Sequence, residues 1–430
     1  MNSNKYYDFA KNELFSICRS ITGKGTEQTL KKIKKFFPKL KIHKVKSGTK
    51  IFDWKIPDEW NIRDAYVVDK NKKKIINFKK NNLHIVGYSK PIKIKLTKKD
   101  LLNKIYSLPS QPDAIPYVTS YYKKDWGFCA TDILRKSIIK NYSKNDKFDV
   151  VIDTSFKKNG CLQYGEYFIK GKTSKEIIVS TYICHPSMAN NELSGPIVSM
   201  SLMDYFSKLP KPNKSLRFVF IPETIGSLAF LNNNLKKLKK NFLAGFNLTC
   251  IGDERMYSCM LSKYGDSISD DAIIKAYKKL KLKFKKYSFL KRASDERQYN
   301  SPGIDLPFTS VFRSKYHEYP EYHTSKDDFK IVTKKGIKGS FKLLKLAIKI
   351  IQQNIYPITN VLGEPMLSKR GLYSTISLKN SWKSSRSYLD VLQFSDGRNN
   401  LEKISKLSKI DIKKLKKVIK ILNNYDLIDV

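Results

Sequence analysis

The chain has 430 residues, 41% hydrophobic and 12% aromatic, which excludes a disordered or fibrous protein and allows two or three domains. Its formal charge of +44 raises nucleic acid or an anionic surface as a partner, but only 11 of the 83 basic residues are Arg. The charge therefore reads as lysine spread over solvated faces rather than as built phosphate sites, and predicts no more than weak, salt-sensitive binding to polyanions.

Six cysteines are scattered without a C-x-x-C pair and predict reduced thiols. The start, "MNSNKYYDFAKNELF", has no apolar leader. It is followed by a helical pattern, "NELFSICRSITGKGTEQTLKKIKKFF", broken at Gly23 and Gly25. From about Ser47 to Ile92 short alternating segments predict a small β module, and the Pro-rich, aromatic stretch Ser107 to Cys129 predicts a packed connector. From about Asp149 to Phe312 the runs "EIIVSTYIC", "SLRFVFIP", "FNLTCIG" and "LPFTSVFR" are β-branched or aromatic with few charges, as strands covered on both faces require. Between the first two lies "SGPIVSMSLMDYFSKL", whose Ile197, Val198, Met200, Leu202, Met203, Tyr205 and Phe206 form a broad helical stripe. Strand, helix and strand in alternation predict an α/β fold with a mostly parallel, mixed sheet between helices.

The apolar stretch "FKLLKLAIKII" is interrupted by Lys342, Lys345 and Lys349, so no membrane span and a cytoplasmic protein are expected. At the end, a helix over Leu401 to Leu407, a turn near Ile410 and a longer amphipathic helix draw a helix-turn-helix outline. That last helix has a basic face, but Leu415, Val418, Ile419 and Leu422 form an apolar stripe that packs on a body, so a nucleic-acid partner is not expected.

Ligands of open α/β sheets bind beyond the carboxyl ends of the strands. Three strand ends carry suitable atoms: "STYIC" runs into His185, "RFVFIP" into Glu223 and "NLTCIG" into Asp253. A further candidate, His323, stands in "PEYHTSKDD". Nitrogen and oxygen ligands with a spare carboxylate as base are what a hydrolytic divalent metal needs. Each residue also has a structural reading, as a core histidine, a helix-cap partner or the start of an Asx-turn.

The series "ICHPSMANNELSG", "FIPETIGS", "CIGDERMYS", "SDERQYNSPGIDLP" and "RSKYHEYPEYHTSKDD", with "ICRSITGKGTEQTL" and "KKNNLHIVGYSKP" upstream, resembles an uncharacterised bacterial family described as aminopeptidase-like. That family is related to the zinc aminopeptidases that also include glutamate carboxypeptidases. The resemblance implies a zinc-aminopeptidase-like domain over 1–45 and 125–355, an inserted small β-rich domain over 46–124, and a winged-helix-like domain over 360–430. It also implies a two-metal site, in which His185 is the first metal histidine, His323 that of the second metal, Asp253 a further metal carboxylate and Glu223 the general base.

Two positions depart from that pattern: Asn191 stands where a bridging Asp belongs, and Thr224 where a metal-binding Glu follows the base. A neutral amide is a poor bridge between two dications, so one zinc ion is expected rather than two, held by His185 and Asp253 with Asn191 or a neighbour assisting, or by a rearranged set that recruits His323. Asp295, Glu296, Arg297, Arg313 and Tyr322 are expected substrate contacts, with an ion-pair network as their structural alternative. The expected activity is hydrolysis of a small peptide or acyl-amide bond, with an amino-sugar conjugate within its range. The alternative is a metal-poor descendant of the fold that binds a ligand or partner, and a homo-oligomer is compatible with either.

Overall fold

The computed structural model describes residues 3–373 and 383–430. It divides into two units, Met1–Leu346 and Ala347–Val430. The strands of the first unit used below are β1 (Lys41–Lys46), β2 (Glu59–Val68), β3 (Lys74–Asn77), β4 (Ile92–Thr97), β5 (Lys147–Lys157) and β6 (Cys161–Ile169). They continue with β7 (Thr173–Tyr182), β8 (Lys214–Ile221), β9 (Phe242–Leu248), β10 (Ser258–Met260), β11 (Lys285–Tyr287) and β12 (Phe308–Phe312).

Eight of them form one mixed sheet in the order β1-β6-β8-β7-β9-β12-β10-β11. Its centre, β8-β7-β9-β12, is parallel, as the charge-poor runs predict. Tyr182 lies opposite Ile221, Thr181 opposite Leu248, and Leu248 opposite Val311, so the four strands end level. The chain leaves β7 for β8 on one side and later reaches β9 on the other. The end of β7 is thus the point where strand order reverses and a crevice opens.

Between β7 and β8 runs helix α1 (Ser194–Ser207), which is buried on almost every side. Enclosing Ile197, Val198, Leu202 and Met203 contributes about 1.5–3 kcal/mol for each side chain. Helix α2 (Ile225–Asn241) follows β8 and turns Ile225, Leu228, Ala229 and Leu231 inward, leaving a lysine-rich end outside. Helix α3 (Ile268–Lys279) starts from a capping box between Ser267 and Asp270.

The small β module is a four-stranded antiparallel sheet, β3-β2-β5-β4, over a core of Ala65, Val67, Phe128, Phe148 and Val150. Its strand β5 lies outside the 46–124 segment, so the module draws on residues up to Lys157 rather than forming a closed insertion. The N-terminal helical pattern is also divided. A helix at Ser3–Phe9 continues as a wider turn at Ala10–Leu14, and a separate helix runs over Lys24–Phe36. Gly23, at φ +94°, enforces the break, because a Cβ there would lie 2.0 Å from the Trp60 carbonyl oxygen. The irregular stretch between these helices carries Arg19 into the interior, where it is 1% exposed.

The second unit holds helices at Lys383–Phe394, Leu401–Ser408 and Ile412–Asn424, and a short strand pair, Ile358–Thr359 with Ile428–Asp429. Lys409, in the left-handed conformation, makes the turn between the last two helices. Leu415, Val418, Ile419 and Leu422 are buried with Val391, Ile404 and Leu427, as the apolar stripe predicts. All six cysteines are free thiols. Among the described residues no helix is long and apolar enough to cross a membrane.

Candidate active site

His185 leaves the end of β7 two residues past Ile183 and is 4% exposed. Its Nδ1 is 2.9 Å from Glu192 Oε2, and its Nε2 faces Glu223 Oε2 at 3.7 Å. Burial opposes a charged imidazole, yet the adjacent Cys184 sulfur and the Glu192 carboxylate outweigh it and hold His185 well above the usual histidine range. The His323 ring lies 5.3 Å from that of His185. Burial, and then the facing charge of His185, push His323 well below its ordinary pKa, so it is a neutral imidazole; its Nε2 is buried without a hydrogen-bond partner.

Glu223 ends the turn after β8, and burial raises its carboxyl against the opposing pull of His185 and a hydrogen bond from Ser294. The Ser294 hydroxyl donates to Oε1 at 2.6 Å, which leaves Oε2 toward the histidine. The backbone N–H of Glu223 donates to the Cys184 sulfur at 3.2 Å, and burial pushes that thiol up to about 11 against the opposing pull of His185. The next residue, Thr224, is at φ +63°, a strained conformation for a β-branched side chain. Asp295 accepts its N–H at 2.7 Å and the Ser227 hydroxyl at 2.9 Å, while Arg297 donates to its Oγ1 at 2.7 Å. Ser294, Asp295 and Arg297 therefore grip the Glu223–Thr224 corner from outside.

Asn191 lies in the turn Ala189–Leu193 between β7 and α1. Its Nδ2 donates to the Tyr182 hydroxyl at 2.7 Å, and its Oδ1 is buried without a partner. The turn is held by Asp327, whose oxygens accept the N–H groups of Ala189, Asn190 and Asn191 and the Tyr319 hydroxyl. Burial raises the Asp327 carboxyl to about 6 despite these bonds.

Of the sequence candidates, His185, Glu223 and His323 are brought together and Asn191 stands close by. Asp253 is engaged elsewhere: its oxygens accept from Asn190 Nδ2, the Arg255 N–H, and the Ser314 N–H and hydroxyl. The metal-sized group of His, Cys, Asp and Glu found among the described residues is Cys184, His185 and Glu192, and it includes neither Asp253 nor His323. Glu296 spends its oxygens on Ala293, Ser294, Tyr316, Asn247 and Ser310. Arg313 is buried with its guanidinium 3.7 Å from the centre of the Tyr257 ring. Arg297 is exposed, and Tyr322 is half-buried and stacked on His323 at 3.9 Å.

Three contributors have no local signal in the sequence. Arg19 donates from Nε to the His185 carbonyl at 3.0 Å across 166 residues. Asp327 reaches the turn across 136 residues or more. Tyr117, from the Pro-rich connector, packs beside both histidines, its ring 5.3 Å from that of His185 and 5.1 Å from that of His323, and its N–H pairs with the His323 carbonyl.

A two-metal site does not fit these residues, since the bridging position is an amide, Thr224 offers no carboxylate and Asp253 has no free oxygen. A single ion is the better fit: the His185 and His323 rings lie 5.3 Å apart, and His323 Nε2 is buried without a hydrogen-bond partner.

The family model described as a domain of unknown function (DUF4910) matches residues 7–354, and one described as a winged helix-turn-helix matches residues 354–430. A Clostridium acetobutylicum protein, provisionally named as a polysaccharide biosynthesis protein with an aminopeptidase-like domain, is 42% identical over 395 residues, 91% of this chain and 89% of its own. A crystal structure of a provisionally named peptidase from Clostridium acetobutylicum superposes with a TM-score of 0.79 at 39% identity, covering 100% of this chain and 96% of that one. The zinc aminopeptidase BSAP of Bacillus subtilis shares the fold at a TM-score of 0.58 and 14% identity, over 81% of this chain and 94% of its own.

Proposed function

Since the chain belongs to the DUF4910 family, carried on an aminopeptidase-like fold and joined to a winged helix-turn-helix, we propose that it is a zinc-dependent hydrolase of a small peptide or acyl-amide bond. The observation that carries this reading is the pairing of His185 Nε2 with Glu223 Oε2 at 3.7 Å, beside an unpartnered His323 Nε2, at the level ends of the central strands. His185 and His323 would hold one zinc ion, with Asn191 Oδ1 as a weak third donor. When bound, the ion supplies Lewis acidity toward a carbonyl oxygen and lowers the pKa of water.

Glu223 then acts as the base. Its raised carboxyl pKa suits a group that takes a proton from water at Oε2 and returns it to the leaving amine. Ser294 occupies Oε1, so the proton is handled at Oε2 alone. The tyrosines Tyr117, Tyr182 and Tyr322 pack around the histidines and limit the size of group that can approach them. An acyl-amide on an amino sugar falls within this chemistry, and the name of the 42% identical relative favours that substrate class.

The test is zinc content and hydrolysis of aminoacyl reporter amides by purified protein, its His185→Ala variant and its Glu223→Gln variant. The reading expects about one equivalent of zinc in the parent, loss of zinc in His185→Ala, and retained zinc without hydrolysis in Glu223→Gln. Zinc below about a tenth of an equivalent, unchanged by His185→Ala, would contradict it.

Asn191, Thr224 and the engaged Asp253 favour a second reading, a metal-poor binding protein on the same fold. It expects a ligand held by the crevice without turnover, and calorimetry with an uncleaved amide in metal-free protein separates the two.

A further inference from the structure

Glu192 is 1% exposed and Arg19 is 1% exposed, and both side chains are wholly enclosed. Two enclosed charges are costly unless each is matched. Here Arg19 Nε faces Glu192 Oε1 at 3.3 Å and donates to the His185 carbonyl at 3.0 Å, while Nη1 donates to the Leu14 carbonyl. Glu192 Oε2 stands 2.9 Å from His185 Nδ1. One guanidinium therefore touches both the backbone of His185 and the carboxylate that grips its ring.

We propose that Glu192, backed by Arg19, is a positioning residue that accepts from His185 Nδ1 and fixes the ring so that Nε2 is turned toward Glu223. This rests on the reading that His185 binds an ion through Nε2. A carboxylate behind a metal histidine fixes its ring and tautomer and raises its donor strength. From the sequence, Glu192 is a candidate only for the charge missing at Asn191, and the structure places it on Nδ1, behind the ring.

Cys184, His185 and Glu192 also form a trio with ligand atoms close enough to enclose an ion. Two features make the trio a brace instead. The Arg19 cation already sits on Glu192 and repels a dication, and the Cys184 sulfur accepts the Glu223 N–H.

Zinc affinity by chelator competition, and the absorption of the cobalt-loaded protein, distinguish the two arrangements. The brace predicts that Glu192→Gln weakens zinc about 10- to 100-fold, that Cys184→Ser leaves affinity unchanged, and that cobalt-loaded protein shows no thiolate-to-cobalt charge-transfer band. Parent-like affinity in Glu192→Gln, or a thiolate band that Cys184→Ser abolishes, overturns it. Nitrogen NMR of labelled histidine in the metal-free parent needs no variant and no ion. A proton on Nδ1 hydrogen-bonded to a carboxylate supports the brace, and an Nε2-only tautomer overturns it. Failure of the parent to bind zinc at all would remove the hydrolase reading while this spectrum still decides the role of Glu192.

Discussion

Asn191 carries an amide where two dications would need a shared carboxylate, and its Oδ1 lies buried with no partner. Supplying that carboxylate is the simplest perturbation of the site, because the Tyr182 hydroxyl that now accepts from Nδ2 can turn and donate instead. Asn191→Asp should therefore raise the affinity for a second divalent ion, read as metal stoichiometry after dialysis against zinc; an unchanged stoichiometry would show that the residue does not face the ion site. Asp295 gives a prediction in pH. Burial, and then the nearby Glu223, raise its carboxyl from 3.8 to about 8. A carboxyl whose folded pKa is raised favours the fold fully below its unfolded pKa and loses that contribution as pH rises through the folded value. Between pH 4 and 8 the melting temperature of the parent should thus fall more than that of Asp295→Asn, whose side-chain oxygen still accepts from Thr224 and Ser227. Equal slopes would contradict this assignment.

At the scale of elements, the site depends on a tight corner between β7 and α1. A Cβ on Gly195, in the first turn of α1, would lie 2.1 Å from Thr181 Oγ1 and 2.6 Å from the Leu248 carbonyl oxygen. Gly195→Ala should push α1 away from the ends of β7 and β9, cost about 1–3 kcal/mol in denaturant unfolding and weaken zinc binding with it. A stability within error of the parent would show that the corner gives way freely. The central strands, α1 and the paired C-terminal helices were legible in the sequence because each follows from a local pattern of burial. The position of His185 and Glu223 at strand ends was legible for the same reason. Arg19, Tyr117 and Asp327 were not, since they reach the site from more than 60 residues away and no periodicity encodes such contacts. The small β module was legible in part. Its strand β5, Lys147–Lys157, alternates buried and half-buried residues as a one-sided strand does, and that alternation separates it from the fully buried runs that follow. Asp295 and Glu296 were read as substrate contacts with an ion-pair network as the alternative, and the structure places both in buried hydrogen-bond networks, which a cluster of charge in the sequence does not distinguish from a crevice wall. Asp253 was read from its place after a strand, but its neighbours Asn190 and Ser314 decide what its oxygens do.

For the whole molecule, the fold brings two imidazoles and one carboxylate together beyond the ends of the central strands, and the proposed reading puts one ion there. The account stands or falls on where that ion sits. Crystals of the full chain soaked in zinc and measured on both sides of the zinc absorption edge would locate it directly. The account predicts one anomalous peak within bonding distance of His185 Nε2 and His323 Nε2, with Glu223 beside it and Glu192 still bonded to Nδ1. No peak in the crevice, a pair of peaks bridged by Asn191, or a single peak on the Cys184 side of His185 would contradict it.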